Sequence, residues 1–196
     1  MTQRALFGLS AGTRGPRTAD HLLHRLAETL PLPPGAHART HVVRTPEPGL
    51  ALSIELPDPA RAAAAATFER LKDERDLAVA WGDRLFGPAE RRAAAVAALA
   101  GHDRSGARAV LFPGSAGLSG TLTLAELFDR TAIDSAVVLG GVVPEPSATL
   151  DTRGHVRPEL VDGRLLLRVA PARGGVYVPF ELPDPHPCCG GEHDAE

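Results

Sequence analysis

Apolar and polar positions alternate along the chain in short blocks, and the order of those blocks predicts the elements. Arg4–Leu9 is a short apolar run of strand type, and the Ser, Gly, Thr and Pro residues from Ser10 to Arg17 end it. From Thr18 to Leu30, residues Leu22, Leu23, Leu26, Ala27 and Leu30 recur at three- and four-residue steps. That spacing is one face of a helix, with His21, His24, Arg25 and Glu28 on the other. Pro31–Gly35 stops it. The runs HARTHVVR and LALSIEL, separated by the turn residues Thr45–Gly49, predict a hairpin. Asp58 followed by Pro59 starts a helix that runs to about Arg75, burying Ala64, Ala65, Phe68 and Leu71. Asp76–Trp81 follows as a strand. An Ala-rich helix opens at Gly87 and Pro88 and closes at Gly101, and Ala107–Phe112 is a further buried strand.

Beyond the loop Pro113–Gly120, Thr123 and Glu126 have the spacing of a capping box, and Leu122 and Leu127 that of a hydrophobic staple. The helix they start runs to about Arg130, and Ala136–Gly141 is the next strand. After Pro144 the runs RPEL, VDG, RLLLRV and VYVPFEL alternate and are broken by Asp-Gly and Gly-Gly, which predicts antiparallel hairpins. The fold class is α+β. A ferredoxin-like βαββαβ N-terminal half is extended by βα units and C-terminal hairpins in a mixed sheet. If the hairpin at His41–Leu56 is misread, the alternative is a doubly wound α/β sheet. Residues 1–180 form a single globular domain and residues 181–196 an acidic tail containing Pro, Cys and His.

Composition narrows the function classes. A net charge of -3 lacks the basic excess that phosphate-backbone binding needs, and aromatics at 4% leave little for base stacking, so nucleic acid is excluded as a partner. No run approaches the roughly 18 apolar residues of a membrane span. With no signal-peptide pattern either, the chain reads as soluble and cytoplasmic. The cysteines are adjacent, Cys188 and Cys189, which rules out a disulfide framework.

Three constellations suggest chemistry. In the tail, Cys188, Cys189, His193 and His186 fall within a few residues of one another, and thiolates with imidazoles are the ligands of zinc and other thiophilic metals. The loop Gly114, Ser115, Gly117, Ser119, Gly120, Thr121 has the glycine density of a phosphate cradle. It follows an apolar strand, where open sheets place ligands, but it lacks the lysine of a Walker sequence. Ser10, Thr13 and Arg14 sit between the first strand and the first helix, where free amides and the helix dipole attract anions. His21, His24 and Glu28 share one helix face, and His102 with Asp103 suggests a base and its orienting acid. His155 lies in a polar connection.

These features give three expectations. The leading one is a metal-binding protein using the Cys-Cys/His tail, with zinc or another thiophilic metal. The second is an enzyme or sensor that binds a phosphorylated ligand or nucleotide at Gly114–Thr121. The third is a non-catalytic interaction domain whose acidic tail docks on a protein partner. The sequence settles neither catalysis nor oligomeric state.

Overall fold

Alternate residues of a strand face opposite sides of a sheet, and here that alternation builds two cores. The computed structural model describes residues 4–44, 48–57 and 61–182. The first half runs β1 (Ala5–Thr13), α1 (Pro16–Thr29), β2 (His37–Val43), β3 (Gly49–Leu56), α2 (Arg61–Lys72), β4 (Ala78–Trp81), β5 (Arg84–Phe86) and α3 (Ala89–Gly101). Phe7 and Leu9 of β1 with Leu52 and Ile54 of β3 face α1 and α2, where Leu23, Leu26, Phe68 and Leu71 meet them. Each is about 5% exposed or less. Removing such a fully buried side chain from water is worth about 1.5–3 kcal/mol, and this layer fixes the register of the strands. On the opposite face α3 approaches so closely that a Cβ added to Gly8 would lie 2.0 Å from the Ala95 carbonyl. Only glycine fits there, beside Ala78, Ala80 and Ala95.

The second half runs β6 (Arg108–Leu111), β7 (Thr121–Thr123), α4 (Leu124–Arg130), β8 (Ile133–Val138), β9 (Thr149–Asp151), β10 (Glu159–Val161), β11 (Arg164–Pro171) and β12 (Tyr177–Pro179). Its core gathers Leu124, Leu127, Ile133, Leu150, Leu167 and Val169. Strand β6 joins the two: Val110 belongs to the first core and Ala109 to the second. All twelve strands form one sheet in the order β5-β4-β1-β3-β2-β6-β10-β11-β12-β9-β7, with β8 added against β11. The fold is thus mixed α+β, and its sheet order differs from that of a simple ferredoxin fold. The doubly wound alternative needs a parallel sheet, whereas every pairing described except β8 with β11 and β9 with β12 is antiparallel.

Several expectations are borne out locally. The hairpin pairs β2 with β3 from His37↔Glu55 to Val43↔Gly49. The Thr123–Glu126 capping box is complete, with the Glu126 amide donating to Thr123 Oγ1 and the Thr123 amide donating to Glu126 Oε2. Others are corrected. Strand β1 does not end at Leu9 but continues to Thr13. A register shift follows Leu9, Gly12 takes φ +69°, and Thr13 regains pairing with Leu50, so a sequence of loop type is a bulged strand. Strand β8 begins at Ile133, before the expected Ala136. The parallel partnerships of β8 and β9 were not expected, because strands separated by long connections leave no local signal. The helix start at Asp58–Pro59 lies outside the described residues, and α2 ends at Lys72, short of Arg75, where Asp76 turns to φ +61°.

Candidate functional site

Strand β2 places His37, Arg39 and His41 on the α3 side of the sheet, with Ser53 opposite Arg39 and Glu55 opposite His37 on β3. The end of α3 sets His102 over them. His41 Nε2 lies 2.7 Å from Ser53 Oγ, Ser53 Oγ lies 2.7 Å from His102 Nδ1, and His102 Nε2 lies 2.7 Å from Glu55 Oε2. Ser53 and His102 are wholly buried and His41 nearly so. Burial, with the Arg39 charge nearby, pushes the His41 imidazole down to about 4, so this ring is neutral at pH 7. The hydrogen bond from His102 holds Glu55 below the usual carboxylate range, against a burial effect that pushes it up, and Arg4 adds to the same end. With both imidazoles neutral, one proton arrangement satisfies every contact. His41 Nε2–H donates to Ser53, the Ser53 hydroxyl donates to His102 Nδ1, and His102 Nε2–H donates to the Glu55 carboxylate. The row is a directed chain of donors ending on an anion. Ser53 is wholly buried, and its hydroxyl links the two imidazoles.

Arg39 stands beside this chain. It is 6% exposed, its Nη1 donates to the His102 carbonyl at 2.8 Å, and its Nε is buried with no hydrogen-bond partner. Among the described residues no carboxylate lies within ion-pair distance of it. Glu55 is taken by His102 at 2.7 Å and touches Arg4 at 3.7 Å, while Asp103 is taken by Arg4. Burial holds the Arg39 guanidinium below its usual pKa, against the Glu55 and Asp103 carboxylates nearby, which push it up. His37 Nδ1 is likewise buried without a partner, and burial also lowers the His37 pKa. Arg39, His37 and Arg4, with the carboxylates Glu55, Asp103 and Asp134, line a cavity of about 330 Å³ that also includes Leu160, Gly163 and Leu165 from the second half. This volume is at the small end of the ~300–1,000 Å³ range of ligand sites.

The residues singled out from sequence fall elsewhere. Ser10 and Thr13 are buried in β1, with Thr13 Oγ1 donating to the Leu50 carbonyl at 2.8 Å, and with Arg14 they border a separate cavity of about 430 Å³ beside Glu90 and Arg91. Gly114 is required by packing, since a Cβ there would lie 2.1 Å from the Arg130 carbonyl. Ser115 Oγ accepts from the Phe112 amide at 3.2 Å, and the Gly120 carbonyl accepts from Thr152. Gly117, Ser119 and Thr121 are exposed, and the loop lines none of the cavities described. His102 is a buried imidazole with a carboxylate partner, but that partner is Glu55, while Asp103 turns to Arg4. Cys188, Cys189, His186 and His193 lie outside the described residues. Among the described residues no group of three His, Cys, Asp or Glu is placed to hold a metal. No helix among them is long and apolar enough to cross a membrane.

Sequence reasoning missed Arg39, His37, His41, Ser53 and Glu55. The available signal was the period-two spacing of His37, Arg39 and His41 inside a predicted strand, which lines up polar side chains on one face. Comparison with protein-family models, with curated proteins and with solved structures returns no match for this chain.

Proposed function

We propose that the chain binds a compact oxyanion, a phosphate or a small carboxylate, at Arg39 and His37, with the Glu55–His102–Ser53–His41 row as the acid–base partner of that site. The observation that carries this reading is the buried Arg39 guanidinium, which lines a cavity with its Nε unpaired and, among the described residues, no carboxylate within ion-pair distance, while Glu55, Asp103 and Asp134 line the same cavity. A buried cation without a carboxylate in contact costs several kcal/mol by order of magnitude, and an anion with hydrogen-bonding oxygens reduces that cost. Arginine presents donors in the fork geometry that suits such a ligand. The ligand recognition expected from the glycine loop is thereby assigned to β2. In support of a split βαββαβ reading of the first half, β4, β1, β3 and β2 are adjacent in that order and mutually antiparallel. Isothermal titration of the full chain with inorganic phosphate tests the proposal. One site per chain is expected, lost in Arg39→Met and weakened about tenfold in His37→Ala, the loss of one or two good hydrogen bonds. Equal binding by wild type and Arg39→Met overturns it.

A second reading keeps the tail as a thiophilic metal site, with Cys188, Cys189, His193 and His186 as ligands. In its favour, Glu181 is held by Arg108 and by His155 at 3.1 Å, and Arg157 beside them lies 3.3 Å from His24. The chain therefore leaves the described fold next to the imidazole-bearing face of α1. Elemental analysis of tag-free protein and of Cys188→Ser/Cys189→Ser checks it. Near-equimolar metal lost in the variant supports the site, and two metal-free preparations refute it.

A further inference from the structure

On the opposite face of β2, where Thr40 and Val42 point, lies a second cavity of about 430 Å³ with a different character. Its walls are apolar: Val42, Leu50, Leu166 and Phe180 line it, and Val42 and Phe180 remain 75% and 51% exposed. Its closed end is ionic. Arg108 is held between two carboxylates, Asp20 through Nη1 at 2.6 Å and Nη2 at 2.9 Å, and Glu181 through Nε at 2.6 Å with a further Nη2 contact. The two carboxylates are not equivalent. Asp20 is 5% exposed and is also gripped by Arg157 Nε at 2.8 Å, so it cannot leave without stranding two guanidinium groups. The Glu181 side chain is 35% exposed, lies just past the end of β12, and among the described residues is partnered by Arg108 and His155. Its carboxylate can swing into water, whereas Arg108 cannot follow it. With Glu181 outside, the end of the cavity holds Arg108 and Arg157 against the single charge of Asp20, and Arg168 is already matched by Glu159.

An apolar trough that ends on an arginine occupied by an exchangeable carboxylate is complementary to one kind of molecule. We infer that this cavity binds an aliphatic monocarboxylate, whose hydrocarbon chain covers Val42, Leu50, Leu166 and Phe180 and whose carboxylate replaces Glu181 on Arg108. The exchange preserves charge: one carboxylate leaves the guanidinium as another arrives. Glu181 then acts as a built-in competitor that keeps Arg108 paired in the empty protein. The gain comes from hydrocarbon removed from water, about 0.8 kcal/mol for each methylene buried. The site does not depend on the oxyanion proposal, because Val42 and Arg39 occupy opposite faces of the same strand.

Decanoate is the probe, titrated calorimetrically into the full chain, with decanol and acetate as controls for its two halves. Decanoate is expected to bind at one site per chain, and decanol and acetate at least tenfold more weakly. Glu181→Gln removes the competing charge and tightens decanoate about tenfold, an interaction of roughly 1.4 kcal/mol. Val42→Asp sits at an exposed position, leaves the fold intact by circular dichroism, and weakens decanoate tenfold or more. Absence of decanoate binding in both wild type and Glu181→Gln overturns the inference. So does equal binding of decanol, or binding that ignores both Val42→Asp and Glu181→Gln.

Discussion

Replacing Arg39 by methionine separates a ligand-binding arginine from a structural one, because the two roles predict different losses of stability and different responses to phosphate. In the ligand-free chain Arg39 makes one hydrogen bond, to the His102 carbonyl at 2.8 Å, and keeps an unpaired Nε. Methionine has similar length, fills the same space and carries no charge. Exchanging a buried ion for a well-packed apolar side chain is neutral or stabilising by about 1–4 kcal/mol. Against this, leaving the carbonyl at the end of α3 without its donor costs about 1–3 kcal/mol. The two effects together place Arg39→Met within about 3 kcal/mol of wild type in either direction, centred near no change. For a chain of this size each kcal/mol shifts Tm by roughly 2–4 °C. Urea unfolding followed by circular dichroism reads the difference, with and without phosphate in the buffer. Wild type gains stability with phosphate as RT ln(1 + [L]/Kd), and the variant does not. A structural arginine behaves in the reverse way. Loss of about 3 kcal/mol or more, with the phosphate response retained, refutes the reasoning.

Other perturbations test the surrounding parts. Ser53→Ala leaves His41 Nε2 and His102 Nδ1 without their 2.7 Å partner, and two unsatisfied buried nitrogens cost about 2–4 kcal/mol in urea unfolding; a loss under about 0.5 kcal/mol contradicts the donor chain. Gly8→Ala forces a methyl group to within 2.0 Å of the Ala95 carbonyl, and the displacement of α3 lowers stability by about 3 kcal/mol or more in thermal unfolding, at or above the usual range for overpacking. His41 titrates at about 4 in the folded chain against 6.5 as a free group, so as pH falls the unfolded chain takes up this proton first. Stability then declines between about pH 6.5 and 4 by about 3 kcal/mol, and His41→Gln flattens that part of the curve. Glu55 is lowered as well, so its contribution, present above its unfolded pKa, is lost at still lower pH as its folded value is passed; a curve with no slope in the upper window shows that His41 is not held neutral.

Legibility in the sequence followed the range of the interactions involved. The first helix was readable because Leu22, Leu23 and Leu26 repeat with the period of one face, and the capping box because its partners stand three residues apart. The bulged end of β1 was not, since Gly12 and Thr13 have loop character and only pairing with Leu50 makes them strand. The parallel pairings of β8 and β9 join segments with no local relation. The same limit applied to the site. His102 drew notice next to Asp103, its sequence neighbour, yet its carboxylate is Glu55, brought over by the α3–β3 packing. Arg39 gave no signal by type, in a chain rich in arginine. Its distinction is the lack of a carboxylate at contact distance among the described residues, which is visible only once Glu55 and Asp103 have been assigned in space to His102 and Arg4.

Whether Arg39 waits for an oxyanion is read most directly by a phosphate titration followed by nitrogen-15 NMR of the arginine Nε–H resonances and the backbone amides together. The Arg39 Nε–H signal and the amides around His37 are expected to move with a single saturating curve, while those of Gly114–Thr121 stay in place. An Arg39 signal that does not move while the Gly114–Thr121 amides do contradicts the Arg39 site and returns the anion to the glycine loop.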